Sequence, residues 1–171
     1  MESIQDIISE FKDKVFNTAF SMVKNYEDAE DMAQEVFLEI YQKLDQFRGD
    51  SALSTWIYKI TVNKCLQHIR TQNASKRKSE TEPIRDQLMQ IPDFDHPGVK
   101  LENKEMANTL MKAIALLPAQ QQVAFTLHKM EQLSQEEIAK ILDKSISSVE
   151  SLIHRAKQNL RKSLKAYYEE Q

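Results

Sequence analysis

The chain has 171 residues with two glycines, four prolines, one cysteine (Cys65) and a formal net charge of -3. So little turn chemistry beside abundant Ala, Leu, Ile, Glu, Gln and Lys argues against a sheet and for an all-α protein of one domain or two small ones. A lone cysteine excludes an internal disulfide framework, and no apolar run approaches the length of a membrane span. The start, Met1-Glu-Ser-Ile-Gln-Asp, is acidic rather than signal-like, so a cytoplasmic location without membrane insertion is expected. The net charge averages opposing blocks. Residues 1–50 carry five Lys/Arg against twelve Asp/Glu, whereas residues 51–80 carry six against one. Such a division points to two kinds of partner, a basic protein surface and nucleic acid, although most charge runs are solvated helix faces.

The periodicity predicts a first helix over residues 3–24, with Ile4, Ile7, Ile8, Phe11, Val15 and Phe16 leading its apolar face. A second helix opens on acidic residues, favourable against the helix dipole, and takes Ala29, Met32, Ala33, Val36, Phe37, Ile40, Tyr41 and Leu44 as its inner side. Asp28, Asp31 and Glu35 share its outer side. Lacking a basic or histidine companion, they read as a binding surface rather than as catalytic carboxylates. A short loop around Gly49 leads to a third helix over about 55–72, whose buried stripe is Trp56, Ile57, Ile60, Leu66 and Ile69.

The same helix interleaves Tyr58, Lys59, Thr61, Asn63, Lys64, His68 and Arg70 with Trp56. Aromatic, amide and basic groups together suit unpaired bases and phosphates. The indole of Trp56 is assigned to the core and its charged flank to solvent. The preceding Asp50-Ser-Ala-Leu-Ser supplies small polar groups and backbone amides able to enclose a flipped base.

Periodicity then dissolves through Lys76-Arg-Lys, three prolines and Gly98, as expected of a flexible linker. It resumes at Leu101 and runs to Pro118, which suits the first turn of a helix carrying Val123, Phe125 and Leu127. The layout is therefore two small helical domains, 1–74 and 101–171, joined by a linker over 75–100.

Residues 133–157 read as two short helices joined by a tight turn, the second running into basic residues. This arrangement can place a helix in a DNA major groove. Ser134 with Glu137, and Ser147 with Glu150, fit capping boxes. Ile138, Ala139, Leu142, Ile146, Val149 and Ile153 form the expected seam. A plain helical hairpin remains the alternative. The four histidines, His68, His96, His128 and His154, are widely spaced, and no phosphate loop or nucleophile elbow occurs. Neither catalysis nor a metal or cofactor is expected.

Asp28-Ala-Glu-Asp-Met-Ala-Gln-Glu-Val-Phe, Phe47-Arg-Gly-Asp-Ser-Ala-Leu-Ser-Thr-Trp-Ile-Tyr-Lys-Ile-Thr-Val-Asn, Leu116-Leu-Pro and the helix-turn-helix occur in that order. Together they resemble a bacterial extracytoplasmic-function (ECF) sigma factor of the sigma-70 family, over nearly the whole chain. The resemblance implies an RNA polymerase subunit that directs the core enzyme to promoters and assists melting. It implies that Asp31, Gln34 and Glu35 meet the clamp helices of the largest polymerase subunit. Ser51, Ala52 and Leu53 would capture a flipped base of the minus-ten element, and Trp56, Lys59 and Asn63 would engage melted promoter DNA. Ser147, Ser148, Ser151, His154 and Arg155 would read the minus-thirty-five element. The polymerase flap and an anti-sigma factor are further implied partners.

Three positions depart from the pattern. Asp143 stands where the turn usually has glycine, Glu150 where a basic residue is common, and Gln67 where an acid often lies on the third helix. The alternatives are a helix-turn-helix regulator acting without replacing sigma, and a helical protein-binding adaptor.

Overall fold

The computed structural model describes residues 3–74 and 104–169. Among them are seven α-helices and no strand: α1 (Ile4–Val23), α2 (Tyr26–Lys43), α3 (Leu53–Ala74), α4 (Lys104–Ala115), α5 (Ala119–Lys129), α6 (Gln135–Leu142) and α7 (Ile146–Glu169). The all-α expectation holds. The expected linker over 75–100, with Lys76-Arg-Lys inside it, lies outside the described residues.

Local chemistry sets the helix ends. Ser3 and Asp6 form a reciprocal capping box on α1, while Lys24 closes that helix in a left-handed conformation at φ 65, its N–H donating to the Phe20 carbonyl. Asn25 then caps α2 by accepting from the Asp28 amide at 2.9 Å. A 3-10 turn, Leu44–Gln46, and Gly49 at φ 74 reverse the chain into α3. Pro118 stands at the N-cap of α5, its ring preceding the helix rather than interrupting it.

Helices α1 to α3 enclose a core of Ile7, Phe11, Val15, Val36, Ile40 and Ile57, all nearly inaccessible. The C-terminal helices build a second cluster from Met111, Ile114, Leu117, Ala156 and Leu160. A third cluster joins the two units. It unites Ala19, Met22, Tyr58, Val62 and Cys65 with Leu127, Ile138, Ile141 and Val149. Contacts of α1 with α4 and α5, and of α3 with α5 and α6, make this docking extensive. Helix α3 therefore carries two apolar sides, one spent within its own unit and one against the helix-turn-helix.

Three apolar expectations are corrected. Tyr41 is 67% exposed and Ile146 46%, so neither belongs to an inner face. Tyr41 lies one residue past the buried Ile40, about 100° around the helix, and so turns outward. Ile146 is the first residue of α7 and projects beyond the seam formed by Val149 and Ile153. Ile8 is also exposed, at 37%.

Candidate nucleic-acid and protein interfaces

On α2 the buried stripe Ala29, Met32, Val36 and Ile40 leaves Asp31, Gln34 and Glu35 together on the exposed side. Their i, i+3, i+4 spacing makes them neighbours along one row. Leu38, 57% exposed, and Tyr41 continue that row with apolar surface. The sequence reading passed over Leu38 and placed Tyr41 on the inner side. Their spacing from Glu35 was the available signal, but an apolar residue on an amphipathic helix defaults to the core.

The acidic side has companions after all. Lys64 Nζ lies 3.1 Å from Glu39 and 4.0 Å from Glu35, and His68 Nε2 lies 3.5 Å from Asp28. The Lys43 ammonium at 2.6 Å, helped by Lys64 and opposed by partial burial, holds the Glu39 carboxyl below the usual range. Lys64 and His68 therefore belong to the α2–α3 contact and do not share a basic face with Lys59. That face is split because α3 packs its two sides against different neighbours.

What remains on α3 is a narrower row. Ala52, Trp56, Lys59, Asn63, Gln67 and Arg70 follow one another at three- and four-residue steps. Ala52, Asn63, Gln67 and Arg70 are exposed, while Trp56 and Lys59 are half-buried. Trp56 packs against the first core and tilts over Phe47, with ring centroids 5.1 Å apart. Its indole thus joins the core edge, as expected, with one side accessible. Ser51 and Leu53 are half-buried beside Ala52, whose carbonyl accepts from the Trp56 amide. Tyr58 is 4% exposed and unavailable for stacking; its hydroxyl donates to Glu131 at 2.9 Å. Burial first, and the Glu131 carboxylate second, raise the Tyr58 pKa and keep it a donor.

The helix-turn-helix is formed by α6 and α7. Ser134 and Glu137 make the expected capping box, each side chain meeting the other's backbone N–H. Asp143 closes α6 at φ 52 and ψ 47, a left-handed geometry that aspartate tolerates better than most residues. The second expected box is corrected. Helix α7 starts two residues earlier than that box requires, at Ile146, and Ser145 Oγ accepts from the Ser148 amide at 3.1 Å. Ser147 and Glu150 are left exposed on the outer side of α7. Ser151, His154 and Arg155 are exposed there too, and Ser148 is half-buried, while Val149, Ile153, Ala156 and Leu160 face inward. The five recognition-helix residues are thus brought to one end of one helix. Glu150 lines a shallow groove with His128, Gln135, His154 and Lys157.

Residues 7–75 match the family model of Sigma-70 region 2, and residues 107–160 match that of Sigma-70, region 4. The chain is 30% identical over 168 residues to the ECF RNA polymerase sigma factor SigW of Bacillus subtilis (strain 168), covering 96% of this chain and 90% of that protein. It is 33% identical over 135 residues to the ECF RNA polymerase sigma-E factor of Escherichia coli (strain K12), covering 77% and 71% respectively. The chain belongs to the ECF sigma factor family. As an ECF sigma factor it directs RNA polymerase in transcription initiation. The same fold occurs in the sigma factor RpoE from Bartonella quintana, solved in complex with the anti-sigma factor NepR. That likeness has a TM-score of 0.73 at 23% identity, over 94% of this chain and 96% of that one. No helix among the described residues of this ECF sigma factor is long and apolar enough to cross a membrane.

Proposed function

We propose that this sigma factor divides its work among three surfaces. The α2 row of Asp31, Gln34 and Glu35 binds the clamp helices of core RNA polymerase, with Leu38 and Tyr41 adding apolar contact. Ser51, Ala52 and Leu53, at the entry to α3, hold a flipped base of the minus-ten element, and Trp56, Lys59 and Asn63 follow the separated strand. Ser147, Ser148, Ser151, His154 and Arg155 enter the major groove at the minus-thirty-five element. The first domain is residues 1–74 and the second 101–171, with 75–100 between them, and the second domain also meets the polymerase flap.

The observation that carries this reading is the order of the two matched regions, together with an acidic α2 row left open to solvent. A solvent-facing anionic surface suits a basic protein partner, and an α3 row bearing amide, indole and ammonium groups suits single-stranded DNA. The protein makes and breaks no covalent bond in this role and needs no cofactor; the polymerase core supplies the chemistry. It acts in the cytoplasm, and an anti-sigma factor restrains it.

Run-off transcription with purified core polymerase tests the reading. The expected result is promoter-specific transcripts that depend on this chain. Tight duplex binding by the free protein, with no transcript, would mark it instead as a regulator that does not replace sigma.

A further inference from the structure

The cap at the start of α7 leaves Glu150 without a local role. Its counterpart in the α6 box, Glu137, is spent within its own helix, accepting from the Ser134 amide at 2.8 Å. In α7 the Ser145 hydroxyl accepts from the Ser148 amide, so the cap forms without Glu150. Glu150 is the fifth residue of α7, beyond the first turn, where the helix dipole favours an acid only weakly. Its side chain is exposed, and among the described residues no hydrogen bond or ion pair engages the carboxylate.

Its place on the helix supplies a role. Glu150 lies between Ser147, three residues before it, and His154, four after, clear of the buried Val149 and Ile153. A helix that lowers Ser147, Ser151 and His154 into a major groove therefore carries Glu150 in with them. From Ile146 to Tyr168, α7 holds five Lys/Arg and a single acid, which is Glu150. Lys157 lines the same shallow groove as Glu150, and Gln135 lines it from α6. Such ammonium and amide donors suit phosphates, which leaves the base edges as the partners open to the acid.

An ionised carboxylate only accepts hydrogen bonds. In the major groove guanine offers it two acceptors, N7 and O6, and thymine an acceptor O4 and a methyl group. Adenine sets its N6 donor beside the N7 acceptor, so attraction and repulsion oppose each other. Cytosine alone presents an amino donor with no acceptor on its own edge. We propose that Glu150 is a specificity-determining residue of the minus-thirty-five contact, accepting from the N4 amino group of a cytosine. The inference rests on the sigma-factor reading of α7 and adds a base preference to it. Any other base leaves a desolvated anion unpaired among phosphates, so the same carboxylate that selects cytosine rejects its competitors.

Holoenzyme assembled from core polymerase and the full-length chain tests this on duplexes randomised across the minus-thirty-five element, the bound DNA being sequenced. Wild type is expected to select cytosine at one position, about tenfold over the other bases. Glu150→Gln keeps the shape and adds an amide donor, so it is expected to select adenine at that same position, through N6 and N7. Glu150→Ala is expected to lose the preference there and to leave the other positions as in wild type. Glu150 is exposed, so neither replacement disturbs the core. A misfolded variant would lose selection everywhere and could not exchange one base for another.

The same base profile in wild type, Glu150→Gln and Glu150→Ala would overturn the proposal. A uniform rise in affinity with that unchanged profile would overturn it equally, showing only relief of phosphate repulsion. So would wild-type selection of a base other than cytosine at the position that Glu150→Ala relaxes. Failure of the sigma reading looks different. Wild-type holoenzyme would then select no minus-thirty-five sequence at all, and promoter-specific run-off transcripts would be absent.

Discussion

Asp143 occupies the left-handed turn between α6 and α7 at φ 52, where a short polar side chain costs less than a branched or bulky one. Its charge sits at a helix C-terminus, an unfavourable place, and Lys59 offsets it at 2.8 Å. Nearby, Ser145 does the capping that the sequence pattern suggested for Ser147. Ser145→Ala should therefore cost about 1 kcal/mol and Ser147→Ala almost nothing, measured by urea unfolding. Equal costs would return the cap to Ser147.

Cys65 gives a second residue-level prediction. Burial pushes its thiol up to about 12 from an ordinary value of 9.0. The folded protein keeps the neutral thiol through this interval, while the unfolded chain ionises. The associated stability is complete below about pH 9 and declines as pH rises toward 12. Alkylation at pH 8.5 should be slow in the native protein and fast in urea; rapid native labelling would show that the thiol is not enclosed.

At the scale of elements, α3 best shows what a sequence can and cannot declare. Ile57 and Ile60 recur at helical spacing and lie in the first core as expected. Lys59, Lys64 and His68 looked like one basic side because charge alone does not reveal which neighbour a side chain will meet. Packing sends Lys64 and His68 to the acids of α2 and Lys59 to the turn before α7. Tyr58 misled for a related reason: an amphipathic aromatic reads equally well as a stacking platform or as a buried donor. The recognition helix was more legible. Val149 and Ile153 point inward, so Ser151, His154 and Arg155 must point outward. Only its first turn was misread, because Ser145, Ser147 and Ser148 offer competing caps within four residues. Arg155→Ala should weaken duplex binding and reduce the slope of log affinity against log salt by about one. An unchanged slope would place Arg155 away from phosphate.

Over the whole molecule, opposing charge blocks suggested separate partners, and the structure puts one member of each kind in contact within the chain. The docking could not be read from the sequence. Its apolar residues, such as Val62 and Leu127, also satisfy the periodicity of independent domains, and its polar fasteners are ordinary surface types. Only three-dimensional juxtaposition distinguishes a residue that closes its own domain from one that closes against another.

A functional consequence of three separable surfaces can be read in a single transcription experiment. Transcript yield is measured against sigma concentration at fixed core polymerase, for wild type, Glu35→Lys and Asn63→Ala. Glu35→Lys reverses a charge on the clamp row, and should raise the half-maximal concentration about tenfold while leaving the plateau intact, the equivalent of about 1.4 kcal/mol of binding. Asn63→Ala should leave the half-maximal concentration unchanged and lower the plateau, if Asn63 contacts separated DNA after the polymerase is engaged, as proposed. A lower plateau without a concentration shift for Glu35→Lys, or wild-type curves for both variants, would contradict the division of polymerase binding and strand binding between α2 and α3.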